Sequence, residues 1–136
     1  MRIVVDTNVV VSGLYSSRGA SHQILRIIPD EKFKMLVSVP LFFEYESVLK
    51  RGKFGLTAKE VDNILNVIAK FAEKVEPYFL WRPFLVDPND DMLLELAVAG
   101  GADAIISFNK KDFSEVENKF GIKIMSTKEF YEEVLL

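Results

Sequence analysis

The sequence contains no cysteine and a single histidine among its 136 residues. The absence of cysteine excludes disulfides, thiolate nucleophiles and cysteine-ligated zinc or iron–sulfur sites. One histidine is too few for a multi-histidine metal site within one chain. Any metal ion would therefore be held by oxygen atoms.

Long apolar runs and a strong excess of one charge are also missing. No stretch approaches the roughly 18 uninterrupted apolar residues that a membrane-spanning helix needs. Asp6 interrupts the N-terminus too early for the apolar region of a signal peptide, so we expect a cytoplasmic protein. The 17 basic and 20 acidic residues give a net charge of −3. This balance argues against a protein that binds nucleic acid through an overall positive charge, but it permits a local basic patch.

The sequence does have enough apolar residues for a core. They make up 49% of the chain and include 11 phenylalanines, which excludes global disorder. No internal repeat and no linker rich in proline, glycine or serine divides the chain. Because its length is close to that of a typical domain, the sequence predicts one domain spanning residues 1–136.

Strand and helix patterns alternate along the chain. Short apolar runs predict strands at residues 2–6, 34–39, 104–107 and 122–125. Helical spacing and helix-ending proline or glycine predict helices over 20–28, 40–50 and 91–99. Capping boxes at 57–60 and 126–129 begin the longest helix and a terminal helix. This alternation predicts an α/β fold of three layers, with a central, mainly parallel, roughly five-stranded sheet.

Acidic residues lie near the predicted carboxyl ends of the strands, where parallel α/β sheets bind ligands. Asp6 ends the first strand, and Glu44 lies one turn into the helix after the second. Asp90 and Asp91 stand where a later helix begins, and Asp112 follows another strand. Carboxylates gathered in one cleft repel each other unless a cation neutralises them. Their hard oxygen atoms indicate Mg²⁺ or Mn²⁺, in an arrangement typical of phosphodiester hydrolysis.

Two of these acids have close competitors. The helical wheel places Glu44 and Glu46 at opposite edges of one apolar stripe and does not decide between them. We predict Glu44, because it is nearer the helix N-terminus, whereas Glu46 suits a surface ion pair with Lys50. Asp90 and Asp91 both suit a helix N-terminus, so one of them is a candidate cap.

Four motifs resemble those of PIN-domain ribonucleases, and most closely the VapC-like toxins of prokaryotes. They are VVDTNV at 4–9, PLFFEYESVL at 40–49, DPNDD at 87–91 with its following helix, and SFNKKDF at 107–113. The motifs occur in the family's order and with typical spacing over essentially the whole chain. The resemblance implies a PIN-like fold and metal-dependent cleavage of single-stranded RNA.

The resemblance also implies the site. It positions the catalytic acids as at Asp6, Glu44, Asp91 and Asp112, and the distance from Asp91 to the 107–113 motif favours Asp91, with Asp90 in reserve. Residues that match positions orienting the acids or contacting phosphate are Thr7, Asn8 and Ser107. Asn109 falls where many members have aspartate, so this site would rely on Asp112 instead.

Further expectations concern partners and basic residues. The resemblance implies a homodimer and, in toxin–antitoxin operons, inhibition by a small antitoxin protein. Basic residues that flank the predicted edge are candidates for contacts with RNA phosphates, although scattered basic side chains are often only solvated; they are Arg18, Arg51, Lys53, Lys110 and Lys111. Two structural alternatives stay open, a helix cap for Asp6 and a solvated turn residue for Asp112. A catalytically degenerate PIN-like domain that binds RNA or a protein is the alternative function.

Overall fold

The central feature of the fold is a parallel β-sheet. The computed structural model describes residues 1–16, 18–51, 55–77, 85 and 88–136. Within these residues the strands are β1 (Arg2–Val5), β2 (Lys34–Val37), β3 (Glu73–Lys74), β4 (Ala104–Ile106) and β5 (Lys123–Met125). They form one five-stranded sheet in the order β3-β2-β1-β4-β5, and every neighbouring pair is parallel. The predicted α/β class and five-stranded sheet are confirmed.

Helices connect these strands. They are α1 (Thr7–Tyr15), α2 (Ala20–Ile27), α3 (Val39–Leu49), α4 (Ala58–Phe71), α5 (Pro88–Ala99), α6 (Val116–Phe120) and α7 (Thr127–Phe130). Both predicted capping boxes are confirmed, at Thr57 with Glu60 before α4 and at Ser126 with Glu129 before α7. Across the part of the chain that the structure describes, no helix is both long and apolar enough to cross a membrane.

The central strands are buried on both faces. Ile3, Val4 and Val5 in β1 are each 0% exposed, and so are all three residues of β4. Successive side chains of a strand point to opposite faces, so each face of the sheet is covered by packed elements. This burial explains why the strands are continuous apolar runs without polar alternation.

Two elements differ from the sequence expectation. The sequence patterns predict no helix or strand over residues 7–12, but these residues belong to α1. A Cβ atom on Gly13 would lie 2.4 Å from Leu25 Cδ1 and 2.9 Å from the Ser21 carbonyl oxygen, so glycine permits α1 to approach α2 this closely. Strand β3 has only two residues, too few to leave a periodic signal.

Candidate active site

An acidic cleft lies at the carboxyl edge of the sheet. It has a volume of about 280 Å³. Its lining residues are Asp6, Thr7, Asn8, Glu44, Val48, Arg51, Asp90, Asn109 and Asp112. With four carboxylates and one guanidinium in this lining, the cleft carries an excess of negative charge. These residues come from the start of α1 and the residue before it, from α3 and the residues just after it, from α5, and from the segment after β4, so the fold assembles the cleft from four separate parts of the chain.

Asp6 lies where β1 passes into α1. Asp6 occupies the N-cap position of α1, but its side chain makes no capping hydrogen bond to that helix. The Ser107 hydroxyl instead donates to Asp6 Oδ2 at 2.9 Å. Ser107 is 0% exposed, and its Oγ accepts the backbone N–H of Asn109 at 3.0 Å. The end of β4 therefore fixes the orientation of the Asp6 carboxylate.

Glu44 reaches the cleft because α3 begins directly after β2. Ser38 caps α3, with its Oγ accepting the backbone N–H of Leu41 at 3.2 Å. The Thr7 hydroxyl donates to Glu44 Oε2. Glu46 is not among the lining residues, and its Oε2 pairs with Lys50 Nζ at 3.3 Å. The structure therefore brings Glu44, rather than Glu46, to Asp6 and Thr7.

Tyr45 lies beneath this pair of acids and is 0% exposed. Its hydroxyl donates to the carbonyl oxygen of Val5, the residue before Asp6. Burial raises the pKa of the Tyr45 hydroxyl well above its ordinary value, and the charges of Asp6 and Glu44 raise it further. The phenol is therefore a neutral donor. In the sequence, Tyr45 belongs to the apolar stripe between Glu44 and Glu46, and its position beside Glu44 and its polar tip are the signals of a further role.

The two acids in the first turn of α5, Asp90 and Asp91, lie in different environments. Asp90 lines the cleft, whereas Asp91 is not among the lining residues. Asp91 is 1% exposed, and its Oδ1 accepts the backbone N–H of Leu85 at 2.7 Å. Its Oδ2 is buried and has no hydrogen-bond partner among the described residues. The structure thus departs from the sequence preference for Asp91 and brings Asp90 to the other acids.

The segment after β4 contributes two exposed residues to the cleft. Asp112 lies in the 3₁₀ turn Lys110–Phe113 and lines the cleft together with Asn109. The backbone N–H of Asp112 donates to the Asn109 carbonyl at 3.0 Å, which closes the turn. Asn8, at the start of α1, and Arg51 are further exposed polar residues of the cleft wall. The cleft therefore has a buried acidic floor and a solvent-facing polar rim.

The basic residues expected near the carboxyl edge of the sheet differ in whether they line the cleft. Of those that the structure describes, Arg51 alone lines the cleft. Arg18 and Lys111 are exposed outside this lining. Lys110 Nζ pairs with Glu129 Oε1 at 3.0 Å, and this hydrogen bond raises the pKa of Lys110. Lys53 lies outside the described residues.

The donor atoms of the cleft fit a hard divalent cation. The lining offers carboxylate, hydroxyl and amide oxygens and neither histidine nor sulfur, which suits Mg²⁺ or Mn²⁺. Among the described residues, no three His, Cys, Asp or Glu side chains are close enough to form a complete metal site as they stand. Hydroxyl donors hold Asp6 and Glu44. Binding a cation would therefore require these side chains to move.

Comparisons with known proteins agree with this geometry. No curated protein matches the chain significantly. Among solved structures, a chain in the crystal structure of VapBC2 from Rickettsia felis bound to a DNA fragment from their promoter is similar, with a TM-score of 0.63. The two chains are 12% identical over 93% of this chain and 98% of that one, a likeness of fold. A family model described as the PIN domain matches residues 2–111, and the chain belongs to the PIN domain family.

Proposed function

We propose that this PIN-domain protein is a metal-dependent endoribonuclease that hydrolyses phosphodiester bonds of single-stranded RNA. The observation that carries the proposal is the convergence of Asp6, Glu44, Asp90 and Asp112 on one cleft. Negatively charged carboxylates in one cleft repel each other, and a bound cation would offset that repulsion. Membership of a family whose members are generally nucleases supports the same conclusion.

Asp6, Glu44 and Asp90 would hold the Mg²⁺ or Mn²⁺ ion, with Asp112 binding directly or through water from the rim. Asp90 here takes the role that the sequence preference gave to Asp91, because Asp90 lines the cleft. An ion held there would supply Lewis-acid chemistry, namely activation of a water molecule and stabilisation of the departing oxygen. No side chain is needed as a covalent nucleophile.

The remaining lining residues would position the acids and the RNA. Ser107 and Thr7 donate hydrogen bonds to Asp6 and Glu44 and fix their orientation. Arg51 would bind a phosphate next to the scissile one, since a guanidinium matches phosphate geometry. The amides of Asn8 and Asn109 are exposed on the rim and would donate to phosphate oxygens.

The biological setting is also part of the proposal. We infer that residues 1–136 form a single PIN domain that acts as the toxin of a toxin–antitoxin pair in the cytoplasm, as a homodimer, inhibited by a small antitoxin protein. The fold likeness to a chain from a VapBC2 crystal structure supports this setting. Co-purification of this protein with the product of a neighbouring gene, followed by loss of cleavage on adding that product, would test it.

The central experiment compares RNA cleavage by wild type and Asp6→Asn in Mn²⁺, in Mg²⁺ and in EDTA, on single-stranded and structured RNA. Because a metal ion supplies several kcal/mol of transition-state stabilisation, we expect EDTA or Asp6→Asn to lower the rate by about a hundredfold or more. Asp30→Asn is the matched control, since Asp30 is exposed at the end of a 3₁₀ turn outside the cleft lining. Cleavage that survives both treatments would contradict the proposal.

A second candidate function is a catalytically degenerate domain that binds RNA or a protein. The absence of a complete metal-binding group among the described residues favours it, as does asparagine at position 109. A Mn²⁺ titration monitored by calorimetry distinguishes the nuclease from the degenerate domain. The nuclease requires Mn²⁺ binding that Asp6→Asn weakens, whereas the degenerate domain would bind RNA without binding Mn²⁺.

A further inference from the structure

Two consecutive residues of α3 contact the two residues that flank Asp6. The Tyr45 hydroxyl donates to the carbonyl oxygen of Val5, and the Glu44 carboxylate accepts the hydroxyl of Thr7. The two neighbours of Asp6 are therefore both hydrogen-bonded to the same turn of a single helix.

The bond to Val5 acts on the backbone of Asp6. The Val5 carbonyl belongs to the planar peptide unit whose nitrogen is that of Asp6, so fixing this oxygen fixes the plane of that peptide. The Asp6 N–H of the same unit donates to the Ile106 carbonyl at 2.9 Å. Asp6 is extended, with φ −63° and ψ 145°, at the last position before α1 begins. Its peptide plane is thus held from α3 on one side and from β4 on the other.

A phenylalanine at position 45 would fill the same apolar space without this bond. A buried hydroxyl is costly unless it is hydrogen-bonded, and the Tyr45 hydroxyl lies within the core, with no solvent exposure. The hydroxyl therefore makes its contribution through the Val5 carbonyl rather than through packing.

We propose that Tyr45 is a positioning residue that ties α3 to the Asp6 peptide and so fixes the separation of the Asp6 and Glu44 carboxylates. The inference rests on the proposed function, because this separation matters when both carboxylates hold one cation. Tyr45 itself contacts neither the cation nor the RNA. It acts through Asp6, which it orients by way of the Val5 carbonyl.

The first test measures Mn²⁺ affinity by calorimetry in wild type, Tyr45→Phe and Ile124→Val. Removing partners that orient metal ligands weakens binding by about 10- to 100-fold, and we expect a loss near the lower end for Tyr45→Phe. The KM for RNA should stay unchanged, and excess Mn²⁺ should restore cleavage. Ile124→Val removes a buried methyl group in β5 and should lower stability without changing Mn²⁺ affinity. Equal Mn²⁺ affinity in wild type and Tyr45→Phe would overturn the proposal.

A second measurement needs no metal, so it separates failure of this inference from failure of the proposed function. Amide hydrogen exchange in EDTA compares the Asp6 N–H with the Lys123 N–H, which donates to the Asp103 carbonyl at 3.0 Å in another part of the sheet. Tyr45→Phe should speed exchange at Asp6 by about tenfold more than at Lys123, because a positional effect is local. Uniform acceleration, or none, would show a merely structural role.

Rescue by a conservative replacement completes the design. 4-Aminophenylalanine in place of Tyr45 keeps a hydrogen-bond donor at the ring tip. We expect it to restore both the Asp6 amide protection and the Mn²⁺ affinity that Tyr45→Phe loses. This variant also keeps the inference testable if Tyr45→Phe does not fold. Failure of a folded 4-aminophenylalanine variant to retain either property would count against a role for the donor.

Discussion

The two ends of the sheet use acidic residues in opposite ways. At the amino ends of the strands, the Arg2 guanidinium pairs with Glu73 at 2.6 Å, and the Arg2 backbone N–H donates to Asp103 Oδ2 at 2.8 Å. The same guanidinium donates to the Gly100 carbonyl at 3.0 and 2.8 Å. Glu73 is therefore matched to a cation that belongs to the protein, and Asp103 accepts the backbone N–H of the same residue.

At the carboxyl ends, hydroxyl groups take the place of that cation. Ser107 donates to Asp6, and Thr7 donates to Glu44. A hydroxyl fixes the direction of a carboxylate but leaves its negative charge in place. The chemical type of the group that pairs with each carboxylate, rather than the number of carboxylates, therefore distinguishes a structural cluster from a site that can attract a cation.

The largest effect on Mn²⁺ binding is expected from a substitution in α5. Asp90→Asn removes a charge from the cleft lining, and we expect Mn²⁺ affinity and RNA cleavage to fall by about 10- to 100-fold. Asp91→Asn keeps a carbonyl oxygen that can accept the Leu85 N–H, so its Mn²⁺ affinity should stay within about threefold of wild type. Calorimetric titration of both variants measures this contrast. A larger loss in Asp91→Asn would return the ligand role to Asp91.

A smaller effect is expected at Arg51, the one basic residue of the cleft lining in the part of the chain that the structure describes. Arg51→Gln should raise the KM for RNA several-fold and leave kcat unchanged. The slope of log affinity against log salt concentration should fall by about 0.7, as expected for one lost phosphate contact on a single strand. Lys50→Gln is the matched control, because Lys50 pairs with Glu46 outside the lining. Equal effects of the two variants in a salt titration would exclude a specific contact at Arg51.

The smallest effect concerns the amino ends. The hydrogen bond from Arg2 lowers the pKa of Glu73, so the ion pair stabilises the fold above the unfolded-state pKa and is lost as pH falls through the lowered folded value. Because the pair is partly exposed, Glu73→Gln should cost less than about 1 kcal/mol at pH 7. Urea unfolding at pH 7 and in strong acid measures the difference between wild type and variant. A difference that persists in strong acid would contradict this account.

Much of the fold could be predicted because its determinants are local. The buried strands are short apolar runs, and the capping boxes before α4 and α7 are complete in sequence. Helix α1 was not predicted, because Val9, Val10 and Val11 are β-branched and favour extended structure. Its helical form depends on close packing against α2 at Gly13, a contact between separate segments.

The acidic character of the site could be predicted from the sequence, but not every residue that lines it. Placement of acids at strand ends selected Asp6, Glu44 and Asp112, which the structure brings to the cleft. The choice between Asp90 and Asp91 was beyond the sequence, because adjacent residues differ by about 100° around the helix and either can begin it. Only the packing of α5 on the sheet decides which side chain faces the cleft.

The Ser107–Asp6 hydrogen bond joins residues that are 101 positions apart in the chain. The ribosome makes Asp6 first, and its partner Ser107, which directly follows β4, is synthesised 101 positions later. Domains of this size fold as units, so a nascent chain cannot finish the cleft early. The proposed nuclease would therefore stay inactive beside the message and the ribosome that are producing it.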